Sequence, residues 1–98
     1  MKPSEINNPE EIVFLKGVVN YTELYLDNGT VEVSCTTLKR YEEKLSGFLR
    51  VSKSHLVNPK KIVNVATLAG QRYVELRSGN RVPVSRRKKA IIKTALGI

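Results

Sequence analysis

Residues 21–35, Y-T-E-L-Y-L-D-N-G-T-V-E-V-S-C, leave a chain of this kind few folds to choose from. Asp27-Asn28-Gly29 divides two runs of alternating side chains, and Asn and Gly tolerate the positive φ that a tight hairpin turn requires. Thr22, Leu24 and Leu26 fall on one face of the first run, and Tyr21, Glu23 and Tyr25 fall on the other. The return run, residues 31–35, places Cys35 on the face of Val31 and Val33, where a packed thiol is expected. This part of the chain is therefore antiparallel β.

The same signals recur downstream. Ser78-Gly79-Asn80 is a second hairpin turn, and strands over residues 62–67 and 72–76 join around Ala69-Gly70. Val74 and Leu76 point inward, with Tyr73, Glu75 and Arg77 outward. A last strand over residues 81–84 contains Pro83, which cannot donate to a ladder and so belongs at an edge or an end. Upstream, Ile12 to Leu15 is a continuous apolar run that reads as a buried strand, broken by Lys16-Gly17.

Between the two β regions, Thr36 or Thr37 can cap a helix whose stripe is Leu38, Tyr41 and Leu45. Gly47 is placed to end it in the left-handed conformation. Arg40, Glu42, Glu43 and Lys44 cover the other faces and read as support rather than as a binding surface. Ser85 is a good cap for a final helix over residues 86–96. The expected architecture is mainly β with minor α: small antiparallel sheets, one interposed helix and a C-terminal helix. Residues 1–10, with two prolines, read as a flexible lead-in or linker remnant before a single domain over residues 11–98.

Composition narrows the function. No apolar run approaches the roughly 20 residues of a membrane span. The first residues lack the apolar core of a signal peptide, which points to an intracellular protein. A single cysteine excludes an intramolecular disulfide and a cysteine-based zinc cage. Charge is polarised along the chain. Residues 1–48 hold 5 Lys/Arg and 8 Asp/Glu, or −3, while residues 49–98 hold 12 Lys/Arg and 1 Asp/Glu, or +11. Such polarity in one small domain points to a polyanionic partner, with nucleic acid ahead of an anionic membrane surface or an acidic protein.

The basic character concentrates in two places. Residues 48–62, F-L-R-V-S-K-S-H-L-V-N-P-K-K-I, set Arg50, Ser52, Lys53, Ser54, His55, Lys60 and Lys61 among strand-forming residues, with no carboxylate. Short polar groups and cations mounted this way suit phosphates and base edges. Arg86, Arg87, Lys88 and Lys89 occupy the first turn of the expected final helix, where the helix dipole disfavours cations by about 0.3–1 kcal/mol each. A nearby phosphate backbone reverses that sign. Several of these residues also admit structural readings: Asn20 and Asn58 as turn residues, Arg50 in a pair with Glu32 or Glu75, His55 as a packed strand residue.

Catalysis finds no footing. The one His and the one Asp have no partners in their own segments, and adjacent pairs such as Glu10-Glu11 point apart. Phosphate-binding glycine loops are absent from the sequence, and no cofactor or metal is implied.

The residues resemble a family at this point. Val18-Val19-Asn20-Tyr21 before the Asp27-Asn28-Gly29 turn, Thr37-Leu38 at the helix, the Phe48-to-Asn58 block followed by Ile62, and Val82-Pro83-Val84-Ser85-Arg86-Arg87 are similar, in order and spacing, to the LytTR DNA-binding domain of bacterial transcription regulators. The resemblance covers residues 11–96 or so. It implies a stack of antiparallel sheets whose loops, rather than a recognition helix, enter successive major grooves of double-stranded DNA. By position it assigns base contacts to Asn20, Lys53 and Arg86. Arg86 suits guanine O6/N7, Asn20 adenine N6/N7, and Lys53 a guanine or a phosphate. Arg50, Ser52, Ser54, Lys60, Lys61, Arg87 and Lys88 are the candidates for backbone contacts. It further implies bacterial cytoplasm, at the nucleoid, a second copy on paired half-sites, and a receiver domain if the chain is part of a longer response regulator. The competing reading is a basic β-rich module that binds RNA or the ribosome without sequence preference.

Overall fold

The computed structural model describes residues 5–88. The first sheet collects five strands: β1 (Ile12–Val18), β2 (Tyr21–Leu26), β3 (Val31–Ser34), β4 (Leu49–Ser52) and β5 (His55–Val57). They are ordered β3-β2-β1-β5-β4. β1 pairs antiparallel with both β2 and β5, which makes it the centre of the sheet. The second sheet is the three-stranded meander β6 (Ile62–Leu68), β7 (Gln71–Leu76) and β8 (Arg81–Pro83). Pro83 lies on an edge strand, as its missing N–H demands. One α-helix, α1 (Leu38–Lys44), completes the described part. The body is elongated, 35 × 25 × 22 Å.

Two cores hold the layers together, and β1 serves both. Val13 and Phe14 join Val51, Val57, Val74, Leu76, Val82 and Val84 between the sheets. Ile12 and Leu15 join Ile6, Leu24, Leu38, Tyr41, Leu45 and Leu56 under the helix. A strand covered on both faces needs no alternation, which accounts for the unbroken apolar run at its start. Tyr25 closes the inter-sheet core, its ring stacked on Phe14 at 4.2 Å.

The strand does not break at Lys16-Gly17; it runs on to Val18. Gly17 lies where the first residue of α1 presses on β1, and a Cβ there would meet the Leu38 Cβ at 3.3 Å. Glycine here permits close approach rather than ending the strand. The helix carries the expected stripe, with Leu38, Tyr41 and Leu45 buried, but Thr37 caps it without a side-chain hydrogen bond. Gly47 is not in the left-handed region, which Gly29, Gly70, Gly79 and Ala69 occupy.

Strand β3 reverses an expectation. Val31 and Val33 are 45% and 60% exposed and Cys35 is exposed, whereas Ser34 is buried. The register explains it: Ser34 opposes Thr22 and Glu32 opposes Leu24, on the helix side, while Val31 opposes Tyr25. β3 is the edge of the first sheet, and its valine face lies outside the core shared with the second sheet. Of the final helix expected over residues 86–96, the structure describes a 3-10 turn, Arg86–Lys88; residues 89–96 lie outside the described residues.

Candidate nucleic-acid interface

Antiparallel pairing gathers the sheet's connections at two opposite ends. At one, the 19–20 turn between β1 and β2 neighbours the 53–54 turn between β4 and β5. The Gly17 amide donates to the Ser54 carbonyl at 2.7 Å, locking the two turns together. A shallow depression of about 220 Å³ between them is lined by Val19, Asn20, Thr37, Lys53 and Ser54. The corner after β8 joins the same end, because the Ser85 amide donates to Val51 O of β4 at 2.8 Å. Asn20, Lys53 and Arg86 are all exposed there. They sit on three turns linked, in that order, by backbone hydrogen bonds.

Arg50 builds this end instead of facing out from it. Its Nε donates to Ser52 O at 2.9 Å, one terminal nitrogen donates to Lys53 O at 2.5 Å, and the other pairs with Glu42 at 2.6 Å. Its carboxylate partner is thus Glu42 of α1, not Glu32 or Glu75; Glu75 pairs with Arg81 across the second sheet at 2.8 Å. Ser52 is likewise engaged, its Oγ 2.8 Å from His55 Nδ1 and accepting the Ser54 amide. His55 is half-buried on β5, and burial, reinforced by the Lys16 ammonium, holds its imidazole below the ordinary value. The tight 53–54 turn is therefore fixed by Arg50 from beneath and by Ser52 from the side.

Lys60 and Lys61 lie at the other end of the sheet. They belong to a 3-10 turn, Pro59–Lys61, that leads into β6. Lys60 Nζ pairs with Glu10 at 2.9 Å, and Lys61 Nζ pairs with Asp27 at 2.5 Å. The Lys60 ammonium, by its hydrogen bond and its charge, draws the Glu10 carboxyl below the ordinary carboxylate range. Asn58 is buried between them, accepting from Lys60 N and donating to Ile12 O at 3.0 Å each, so it is a turn residue.

Ion pairing therefore sorts the cations of the basic half. Arg50, Lys60, Lys61 and Arg81 have carboxylate partners. Lys53, Arg72, Arg77, Arg86, Arg87 and Lys88 have none among the described residues. Two further side chains at the open end carry no local sequence signal of a functional position. Val19 is 97% exposed beside Asn20. Arg72 lies beside Arg86, in a groove at the end of the second sheet. Val19 gave no sign of its position because a valine in a β-rich segment reads as core.

A small β-stack that presents cations without ion-pair partners among the described residues, and the exposed Asn20 amide, on linked turns suits a polyanion. The comparisons specify which. The family model of the LytTr DNA-binding domain matches residues 4–97, and the chain belongs to that family. It is a DNA-binding domain of the type found in transcription regulators, and DNA is its partner. Among solved structures, the LytTr domain of a protein described as a methyl-accepting/DNA response regulator from Bacillus cereus superposes with a TM-score of 0.79. That match covers 91% of this chain and 84% of the other at 21% identity, a likeness of fold. No curated protein sequence matches the chain. Among the described residues, no helix is long and apolar enough to cross a membrane.

Proposed function

We infer that this domain binds double-stranded DNA sequence-specifically for a bacterial transcription regulator, with three turns addressing successive major grooves along one side of the duplex. One observation carries the reading: Asn20, Lys53 and Arg86 stand exposed on three hydrogen-bond-linked turns, with no ion pair holding either cation among the described residues. Only the major groove distinguishes all four base pairs, and turns this narrow carry side chains that suit it. Arg86 takes guanine O6 and N7 as a fork. Asn20 takes adenine N6 and N7. Lys53 serves a guanine or a phosphate. Val19, an apolar side chain at a loop tip, suits a thymine methyl. Ser54, Arg87 and Lys88 take backbone phosphates, and Ser52 orients the turn that presents Lys53. Lys60 and Lys61, paired at the far end, and Arg50, bound into the turn, stay off the duplex. Occupancy of paired half-sites by two copies, and control by a receiver domain in a longer chain, belong to the same reading.

Selection of duplexes from a random DNA pool is the test. A recovered motif supports base readout. Uniform recovery of unrelated sequences overturns it in favour of non-specific binding. Arg86→Ala is expected to cost about 1–3 kcal/mol on the preferred duplex and to relax one base-pair position. A uniform loss over all duplexes, measured by competition binding, contradicts base contact. A steep salt dependence accompanies either form of binding and does not separate them.

A further inference from the structure

Arg72 occupies a position that a strand of this kind ordinarily gives to a hydrophobic residue. Side chains alternate along β7, and Val74 and Leu76, two and four residues on, are buried in the inter-sheet core. Arg72 continues their face at the end of the strand, where the core runs out. Its register partner is Thr67. The Val84 amide donates to the Arg72 carbonyl at 2.9 Å, and the Gln71 side chain donates to Val84 O at 2.9 Å, so the chain leading to Arg86 is fastened beside it. The result is an open groove of about 590 Å³ with Thr67, Gln71, Arg72, Val84 and Arg86 among its walls and no carboxylate. Arg72 Nε is buried there without a hydrogen-bond partner, and the guanidinium has no ion pair among the described residues. A cation half withdrawn from water with no counter-charge is costly, and an anion in the groove offsets that cost.

We propose that the Arg72–Arg86 groove is a subsite for one backbone phosphate of the DNA, gripped mainly by Arg72. The assignment rests on this end of the molecule being the DNA face. Arg72 is rooted by its buried Nε at the end of the second sheet and does not project from a turn tip. It therefore cannot reach a base edge in a groove about 8.5 Å deep, and the phosphodiester is the group within range. A phosphate oxygen in the groove receives the terminal N–H groups of the guanidinium as charge-assisted hydrogen bonds. Arg86, at the rim, remains free to enter the groove of the duplex. The contact fixes the register of the third turn without reading sequence.

The experiment is salt-dependent DNA binding of the whole chain, with wild type, Arg72→Gln and Arg72→Lys compared on one duplex and melting temperatures recorded alongside. Loss of one phosphate contact reduces the slope of log K against log salt by about 0.9. Arg72→Gln is expected to show that reduction, and to return the same motif as wild type from a random duplex pool. Arg72→Lys, which keeps the charge, is expected to keep the slope. An unchanged slope in a folded Arg72→Gln protein overturns the subsite, as does an equal loss in the Lys variant, which marks a structural role. A changed preference at one base pair overturns it too, because Arg72 then reads a base. Inorganic phosphate is the remaining arm. If it raises the wild-type melting temperature above an equal ionic strength of chloride, but not that of Arg72→Gln, while the DNA slopes agree, the groove holds free anions and not DNA. The slope comparison can be made on any duplex, so it decides the phosphate contact even if selection returns no motif and base readout fails.

Discussion

The two ends of the five-stranded sheet are made from the same parts, tight turns rich in Asn and Lys, and are finished in opposite ways. At one end Asn58, Lys60 and Lys61 are closed against Glu10, Asp27 and the Ile12 carbonyl. At the other, Asn20 and Lys53 project from turns whose backbones are tied to each other. What separates them is where the eight carboxylates of the first 48 residues fall after folding. Two of them meet lysines at the closed end, and a third, Glu42, goes to Arg50 beneath the open end. None is paired with Lys53 or Arg86. Composition made the second half basic; the fold chose which of its cations stay available.

The largest effect expected from breaking this contrast is at the closed end. Asn58→Leu removes a buried side chain that caps the 3-10 turn and satisfies the Ile12 carbonyl. An unpaired buried carbonyl and a lost cap together cost about 3 kcal/mol, or a melting temperature lower by about 12–20 °C in a domain of this size. DNA affinity measured well below the transition is expected to equal that of wild type. A specific loss of affinity in the folded variant would move Asn58 into the interface.

Arg50→Met tests the opposite proposition, that a cation at the open end acts through structure. It removes three hydrogen bonds from the turn that presents Lys53. The side chain is still 21% exposed, so about 1–2 kcal/mol of stability is expected to be lost. Affinity falls as well, yet the salt slope stays near that of wild type, because no phosphate contact disappears. A slope reduced by one contact would make Arg50 a direct ligand of the backbone.

Much of this was legible beforehand. The Asp27-Asn28-Gly29 and Ser78-Gly79-Asn80 turns, the helix stripe and the edge position of Pro83 follow from rules acting over a few residues, and all appear in the structure. Alternation, however, yields two faces without naming the covered one. Val31, Val33 and Cys35 were assigned inward on hydropathy, and the edge position of β3 left them outside. The same limit hid Arg72, whose place on an apolar face is significant only once the core is seen to end there. The partner of Arg50 required a tertiary contact from β4 to α1, which no local spacing encodes. The pairing of Lys60 and Lys61 was hidden for the same reason, because 50 and 34 residues separate them from Glu10 and Asp27.

His55 gives a smaller, pH-dependent effect at the open end. Burial first, and Lys16 second, keep its folded pKa below the ordinary value, so the unfolded chain takes up the proton more readily. Stability present above pH about 6.5 is lost as pH falls through that value, and the loss levels off below the folded pKa. Urea midpoints at pH 7.5 and 5.5 should differ in wild type and converge in His55→Gln. The hydrogen bonds that Lys60 and Arg81 make to Glu10 and Glu75 lower both carboxyl pKa values, so their contributions are lost only in a more acidic range. A wild-type midpoint that holds steady across the His55 window would contradict the burial assigned to the ring.

The smallest effect carries the sharpest test of the contrast. Lys60 is 72% exposed and its partner Glu10 67%, and surface pairs of that kind contribute little to stability. Lys60→Ala should therefore leave the melting temperature nearly unmoved. By charge alone it ought to weaken DNA binding as much as Lys53→Ala does, since each removes one positive charge from the same basic half. By position it should not. On the proposed interface the duplex touches the end where Lys53 stands, and solvent-exposed charges further apart than about 8–10 Å are largely screened at physiological salt. Salt-slope measurements on both variants decide the matter. A slope reduced in Lys53→Ala alone locates the interface at one end of the sheet, and equal reductions would mean that the DNA wraps both.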